Sequence, residues 1–131
     1  MKSLALFLFV VVALCGCAKK PNDIVGTWNA SRRMASSIFH FFPDGKVTTE
    51  LHYDAVLART QGTYTYDGTN LGLTNVSVDV VGPEPMASEV RAKLLEPSLM
   101  PIVWNSPFNF KMPLPGHAEE PLVFNFMSRV P

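Results

Sequence analysis

The architecture of this chain hinges on the run Ile38-Phe39-His40-Phe41-Phe42-Pro43-Asp44-Gly45-Lys46-Val47-Thr48-Thr49-Glu50-Leu51-His52-Tyr53. Its first five residues are rich in β-branched and aromatic side chains, which fit a pleated, half-buried surface. Pro43 fixes φ and Gly45 accepts a positive one, so Pro43-Asp44-Gly45-Lys46 reads as a tight turn. Beyond the turn the chain alternates. Val47, Leu51 and Tyr53 share one face, while Lys46, Thr48, Glu50 and His52 share the other. This is an antiparallel hairpin with one face on a core and one in water. With Phe42 opposite Lys46, His40 falls opposite Thr48 and away from His52, so this register gives the two histidines no shared metal.

The same signals recur on both sides of the hairpin. Ile24-Val25-Gly26-Thr27-Trp28-Asn29-Ala30 reads as a first strand and Thr60 to Tyr66 as a fourth. Asp67-Gly68-Thr69-Asn70 is a second hairpin turn. Leu71 to Val81 follows as a long fifth strand, with Val76, Val78 and Val80 expected on one face. Residues 83–121 hold eight of the eleven prolines, and since proline is excluded from central strands this part is expected to be loop-rich. Met86 to Glu96 is the one helix candidate. Pro85 suits its first turn, Met86, Val90 and Leu94 recur at i+4, and Pro97 stops it. The reading is a short helix packed over the mouth or side of the sheet. Ile102–Trp104 and Phe108–Met112 are short strands. Leu122 to Val130 is the last strand, with Leu122, Phe124 and Phe126 on one face. About eight sequential strands, left as an open sheet, would expose two edges, and closing into a barrel removes them. The expected fold is all-β, an antiparallel up-and-down meander of about eight strands closed as a small barrel, with one short helix in a Pro-rich insertion.

The start of the chain carries an address. Lys2 is followed by Leu4 to Leu14, eleven apolar residues without a charge. That is shorter than the roughly 20 residues a membrane-spanning helix needs and fits the apolar region of a secretory signal. Leu14-Cys15-Gly16-Cys17 resembles the bacterial lipobox. The resemblance implies cleavage after Gly16, a diacylglyceryl group on the Cys17 sulfur and acylation of the new amine. Cys15 would have the bulky Leu14 at its −1 position and does not fit. The expected layout is residues 1–16 as signal peptide, 17–23 as lipidated tether and 24–131 as the barrel domain. Two or three acyl chains give stable anchoring, where one gives marginal binding. The expected location is the bacterial cell envelope, and the outer membrane where the host has two, because Ala18 is not the aspartate that retains many such lipoproteins in an inner membrane. The residues between Cys17 and Ile24 reach at most ~20 Å, which keeps the domain close to the bilayer.

Composition narrows the classes further. Acidic and basic residues balance at eleven each, and losing Lys2 with the signal leaves a slight acidic excess. This argues against nucleic acid as a partner. Of the two cysteines, Cys15 departs with the signal and Cys17 carries lipid. The mature domain is then left without a disulfide, redox pair or thiolate metal site, and its stability must come from apolar burial. Nine Phe, three Tyr and two Trp supply the bulk.

Three motifs together resemble the bacterial lipocalin-like small lipoproteins. They are Ile24-Val25-Gly26-Thr27-Trp28, Phe39-His40-Phe41-Phe42-Pro43-Asp44-Gly45-Lys46-Val47 and Gly62-Thr63-Tyr64-Thr65-Tyr66-Asp67-Gly68-Thr69-Asn70-Leu71. Met127-Ser128-Arg129-Val130 matches that family's last strand, while residues 82–121 depart from its pattern. The resemblance implies a lipocalin-like barrel closed at one end by Trp28, with Arg129 stacked on it.

Chemistry-bearing motifs are sparse. No nucleophile elbow, zinc-protease helix, P-loop or dinucleotide fingerprint occurs, and no enzyme activity and no cofactor beyond the covalent lipid on Cys17 are expected. His40 and His52 read as half-exposed strand histidines, and His117 as a solvated loop residue. Asp79, Glu84 and Glu89 read as a polar rim. The barrel interior is the remaining candidate site, with Phe39, Phe41, Tyr64, Phe124 and Phe126 as its lining. An eight-stranded barrel is either just filled by its side chains or holds one small ligand. Two functions follow. One is an anchored module binding a small apolar ligand or acyl chain. The other is a non-catalytic structural or protein-interaction lipoprotein with a packed barrel, whose Trp104, Phe108 and Phe110 would suit an envelope partner if exposed.

Overall fold

The hairpin forms in the register required by its turn. In the computed structural model, which describes residues 22–32, 35–114 and 117–129 (with no side-chain detail at 114 and 117–119), Phe41 pairs with Val47 and His40 with Thr48. The Gly45 amide donates to the Phe42 carbonyl at 3.2 Å and the Phe42 amide to the Lys46 carbonyl at 2.9 Å. Gly45 takes φ +88, and the Asp44 carboxylate accepts the Lys46 amide at 3.0 Å. The turn is therefore closed by backbone and side chain together.

Among the described residues nine strands are arranged around this hairpin: β1 Gly26–Arg32, β2 Ala35–Phe41, β3 Lys46–Tyr53, β4 Val56–Tyr66, β5 Asn70–Val81, β6 Ser98–Pro101, β7 Val103–Ser106, β8 Asn109–Leu114 and β9 His117–Ser128. One helix, α1 Met86–Leu95, lies between β5 and β6. All pairings are antiparallel, in the order β6-β5-β4-β3-β2-β1-β9-β8-β7. The two outermost strands, β6 and β7, are consecutive in the chain and separated by Ile102 alone. Ile102 donates its amide to the Thr69 carbonyl at 2.8 Å and buries its side chain. One extended segment thus leaves β5 and joins β8, which closes the sheet into a nearly complete barrel. The all-β, up-and-down, small-barrel expectation holds, with the eighth stave split in two.

Four details of the sequence reading are corrected. His117, read as a loop residue, is the first residue of β9, because it already pairs there with Leu114 of β8. The fourth strand begins at Val56, four residues early, because Tyr53 pairs with Val56 across Asp54-Ala55. Asp54 at φ +50 makes that turn, and aspartate visits this region more readily than most residues. Val76 leaves the face of Val78 and Val80. A bulge sets Gln61 opposite Ser77 but Gly62 opposite Asn75, so Val76 is the extra residue and is 74% exposed. After the helix, the Pro-rich part is mostly strand. Its prolines sit where a missing amide costs little: Pro101 ends β6, Pro113 lies at the β8 register shift, and Pro121 precedes the β1-paired part of β9, which starts at Val123.

The helix forms as its i+4 pattern predicts. Met86, Val90 and Leu94 pack with buried Ala87 against Val56 and Ala58 of β4 and Val78 and Val80 of β5. Those strand residues are the inward ones, in register with Leu51 and Thr60. The helix therefore covers the interior at the end away from the Asp-Gly turns. The Glu84 carboxylate accepts the Ser88 amide and hydroxyl at 3.3 and 2.6 Å at its start. Asn75 donates to the Leu94 carbonyl at 2.8 Å at its end.

Candidate functional site

The interior is built in cross-strand layers. One layer runs Trp28, Phe39, Thr49, Thr60, Val78, and the next Ala30, Ser37, Leu51, Ala58, Val80. Toward the Asp-Gly turns the inward residues are large and aromatic; toward the helix they are small. Trp28, Phe41, Phe110 and Phe124 are fully buried and Phe39 nearly so. Phe110 stacks on Phe124 with centroids 4.4 Å apart, and Trp28 meets the edges or faces of Phe110, Phe126 and Trp104 at 4.7, 5.3 and 5.7 Å. Phe39 contacts Phe124 at 5.0 Å and Phe41 contacts Tyr64 at 5.1 Å. Offset and edge contacts at these distances add to area burial.

The five expected lining residues, Phe39, Phe41, Tyr64, Phe124 and Phe126, all belong to this one cluster, and their rings are directed at one another and at Trp28 and Phe110. Tyr64 donates its hydroxyl to the Phe42 carbonyl at 2.7 Å; burial first, then Asp23 and Asp44, raises its pKa. Other members of the cluster were not singled out as lining, Phe110 and Trp104 among them. Phe110 is fully buried at the centre and Trp104 packs against it and Trp28; the inward phase of Phe110 follows from its pairing with Phe124. Trp104 donates to the Tyr66 hydroxyl at 2.8 Å. The three aromatics proposed as a docking patch therefore divide: Phe110 is buried, Trp104 half-buried and Phe108 exposed.

Trp28 is fully buried at the turn end of the barrel and donates to the Ile24 carbonyl at 2.8 Å. Gly26 is required beside it. Its φ is +135, and a Cβ there would stand 2.5 Å from the Ser128 carbonyl oxygen. Arg129 follows at the same end with an exposed side chain. Cys17 and Lys19-Lys20 lie outside the described residues, as does Arg33. Arg32 is described and pairs with Glu120 at 3.6 Å.

A second candidate lies outside the wall. A shallow groove of about 440 Å³ crosses β2 to β5, lined by His40, Thr48, Glu50, Arg59, Gln61, Ser77 and Asp79 with Thr49 and Thr60 beneath. His40 Nδ1 is 2.9 Å from the Thr27 hydroxyl. Glu50 is held by His52 Nε2 at 2.9 Å and by Arg59 Nε at 3.2 Å. The His52 and then the Arg59 hydrogen bond hold its carboxyl below the usual range. These groups are open to solvent and satisfied by one another. Of the three rim carboxylates, Asp79 faces this groove, Glu84 caps the helix and Glu89 stands in its first turn; they do not form one site. Among the described residues, no three His, Cys, Asp or Glu gather as a metal site, and no helix is long and apolar enough to cross a membrane.

No family model matches the chain, and no curated protein matches it either.

Proposed function

We propose that this chain is a non-catalytic bacterial envelope lipoprotein. In this reading it is tethered through diacylated Cys17 to the membrane, the outer one where the host has two, and presents a lipocalin-like barrel packed as a structural or protein-interaction module. The observation that carries the packed reading is the aromatic layer. Phe39, Phe41 and Phe124, the side chains best suited to contact an apolar ligand, spend their surface on each other, on Tyr64 and on Phe110. On the outer face the Glu50 carboxylate is bonded to His52 and Arg59 on an open surface.

The anchor is tested by mass spectrometry of the mature N-terminal peptide. Diacylglyceryl and acyl additions on Cys17 are expected, and Cys17→Ser should move the protein to the soluble fraction. An unmodified Cys17 in membranes would overturn the anchor. For the barrel, native mass spectrometry of the purified protein should find no retained small molecule, and a hydrophobic dye should not be taken up. A second reading, a small apolar ligand or acyl chain held near the helix, is favoured by the small inward residues Ala30, Ser37 and Ala58. Under it, a stoichiometric lipid should co-purify, and loosening the helix with Val90→Ser should release it. For the closure pair, Arg129→Ala should lower the melting temperature by the few degrees that a cation–π contact of about 1–2 kcal/mol represents. An unchanged melting temperature would remove Arg129 from that role.

A further inference from the structure

The end of the barrel at which β1 begins, beside Gly26, carries two exposed apolar side chains. Phe108, in the β7–β8 turn, is 53% exposed, and Met127, near the end of β9, is 55% exposed. They belong to one end because Asn29, Asn125 and Asn109 lie side by side across β1, β9 and β8, and both residues lie beyond that row toward Gly26. The Phe126 amide donates to the Phe108 carbonyl at 2.9 Å, and the Phe108 ring rests on Phe126 at 5.7 Å, so the turn is held rigidly with its ring facing out. The described chain also begins at this end, at Asn22. Five residue steps separate Cys17 from Asn22, at most about 18 Å of extended chain.

We infer that this end of the barrel rests on the lipid bilayer, with Phe108 and Met127 seated at the boundary of headgroups and acyl chains. The inference rests on the lipid anchor at Cys17. With the sulfur fixed at the membrane surface, the short tether places the Trp28 end within reach of the headgroups and points the helix end into the periplasmic space. Association is driven by apolar burial and not by charge. The carboxylates of this end are committed locally: Asp23 to the Val25 amide, Asp44 to Lys46, and Asp67 to the Thr69 and Asn70 amides. With Lys46 and Arg129 at the same end, the described charges of the two signs nearly balance. A zwitterionic bilayer therefore suffices, and salt should have little effect.

The mature chain allows a direct test, because its sole cysteine is the lipidated one. Phe108→Cys and Val81→Cys each create one thiol for a nitroxide label; Val81 is an exposed apolar residue at the opposite end. The full lipoprotein is placed in phosphatidylcholine–phosphatidylethanolamine vesicles, and collision rates with oxygen and with a water-soluble nickel chelate are measured. The label at 108 should collide several-fold less with the chelate and more with oxygen than the label at 81, at low and high salt alike. Equal accessibility at the two sites, with the lipid mass present on Cys17, would overturn the docking and leave the anchor intact. Lack of the lipid mass would overturn the anchor and the docking together. Protection at 108 that vanishes in high salt would overturn the apolar basis.

Discussion

Glu50 shows how single residues set the outer face. His52 and Arg59 hold its carboxyl below its ordinary value of 4.5, and the Asn70 and Thr69 amides hold that of Asp67 below 3.8. A folded-state pKa below the unfolded one means that the contribution to stability is present above the unfolded value and lost as pH falls through the folded one. Stability should therefore drop on the acid side, and Glu50→Gln or Asp67→Asn should flatten that part of the profile in denaturant titrations from pH 6 to 2. An unaltered slope in both variants would refute the assignment. Gly62 is a different kind of requirement. A Cβ there would fall on the Thr74 carbonyl and 2.7 Å from the Asn75 Cα. Gly62→Ala should cost about 1–3 kcal/mol, as other overpacked sites do, read as a lower urea midpoint. The motif containing Gly62 was visible in the sequence. The reason for the glycine was not, because the bulge it permits exists only once β4 and β5 pair.

Among the elements, α1 was legible almost residue for residue. Its i+4 stripe, its flanking prolines and its first-turn Glu89 are local signals, and all are used. The surface it covers was not legible, since Val56, Ala58, Val78 and Val80 come from two strands whose register fixes their inward phase. Ala87 is the buried contact of the helix, so Ala87→Leu should destabilise by about 1–3 kcal/mol. A melting temperature within a degree of the parent would show that the helix is loosely seated. The β3–β4 turn was missed because Asp54-Ala55 contains neither glycine nor proline. In the Pro-rich segment β7 and β8 were read in part, whereas β6 and the first residues of β9 were missed, because a proline is excluded only from paired interior positions, and pairing is not a property of the segment alone.

Across the whole molecule, stability rests on an aromatic layer assembled from strands far apart in sequence: Trp28 on β1, Phe39 and Phe41 on β2, Tyr64 on β4, Phe110 on β8 and Phe124 on β9. Phe110→Ala removes the ring between Trp28, Trp104 and Phe124 and should cost about 3–5 kcal/mol. For a domain near this size that lowers the melting temperature by roughly 12 °C or more, measured by circular dichroism. A smaller change would mean that the barrel end collapses to fill the gap. The sequence determined the strand content, the hairpin register around Gly45 and the helix, because alternation, turn residues and i+4 spacing act over a few neighbours. It also supplied the run Leu14-Cys15-Gly16-Cys17, whose resemblance to a lipobox is the basis of the proposed address. Only the tertiary structure decided that β6 and β7 form one split stave that closes the barrel, and that the aromatic residues face one another. Only it brought Phe108 and Met127 out at the end where β1 starts. Each of these depends on which strands become neighbours, and that is set by the balance of burial over the whole chain.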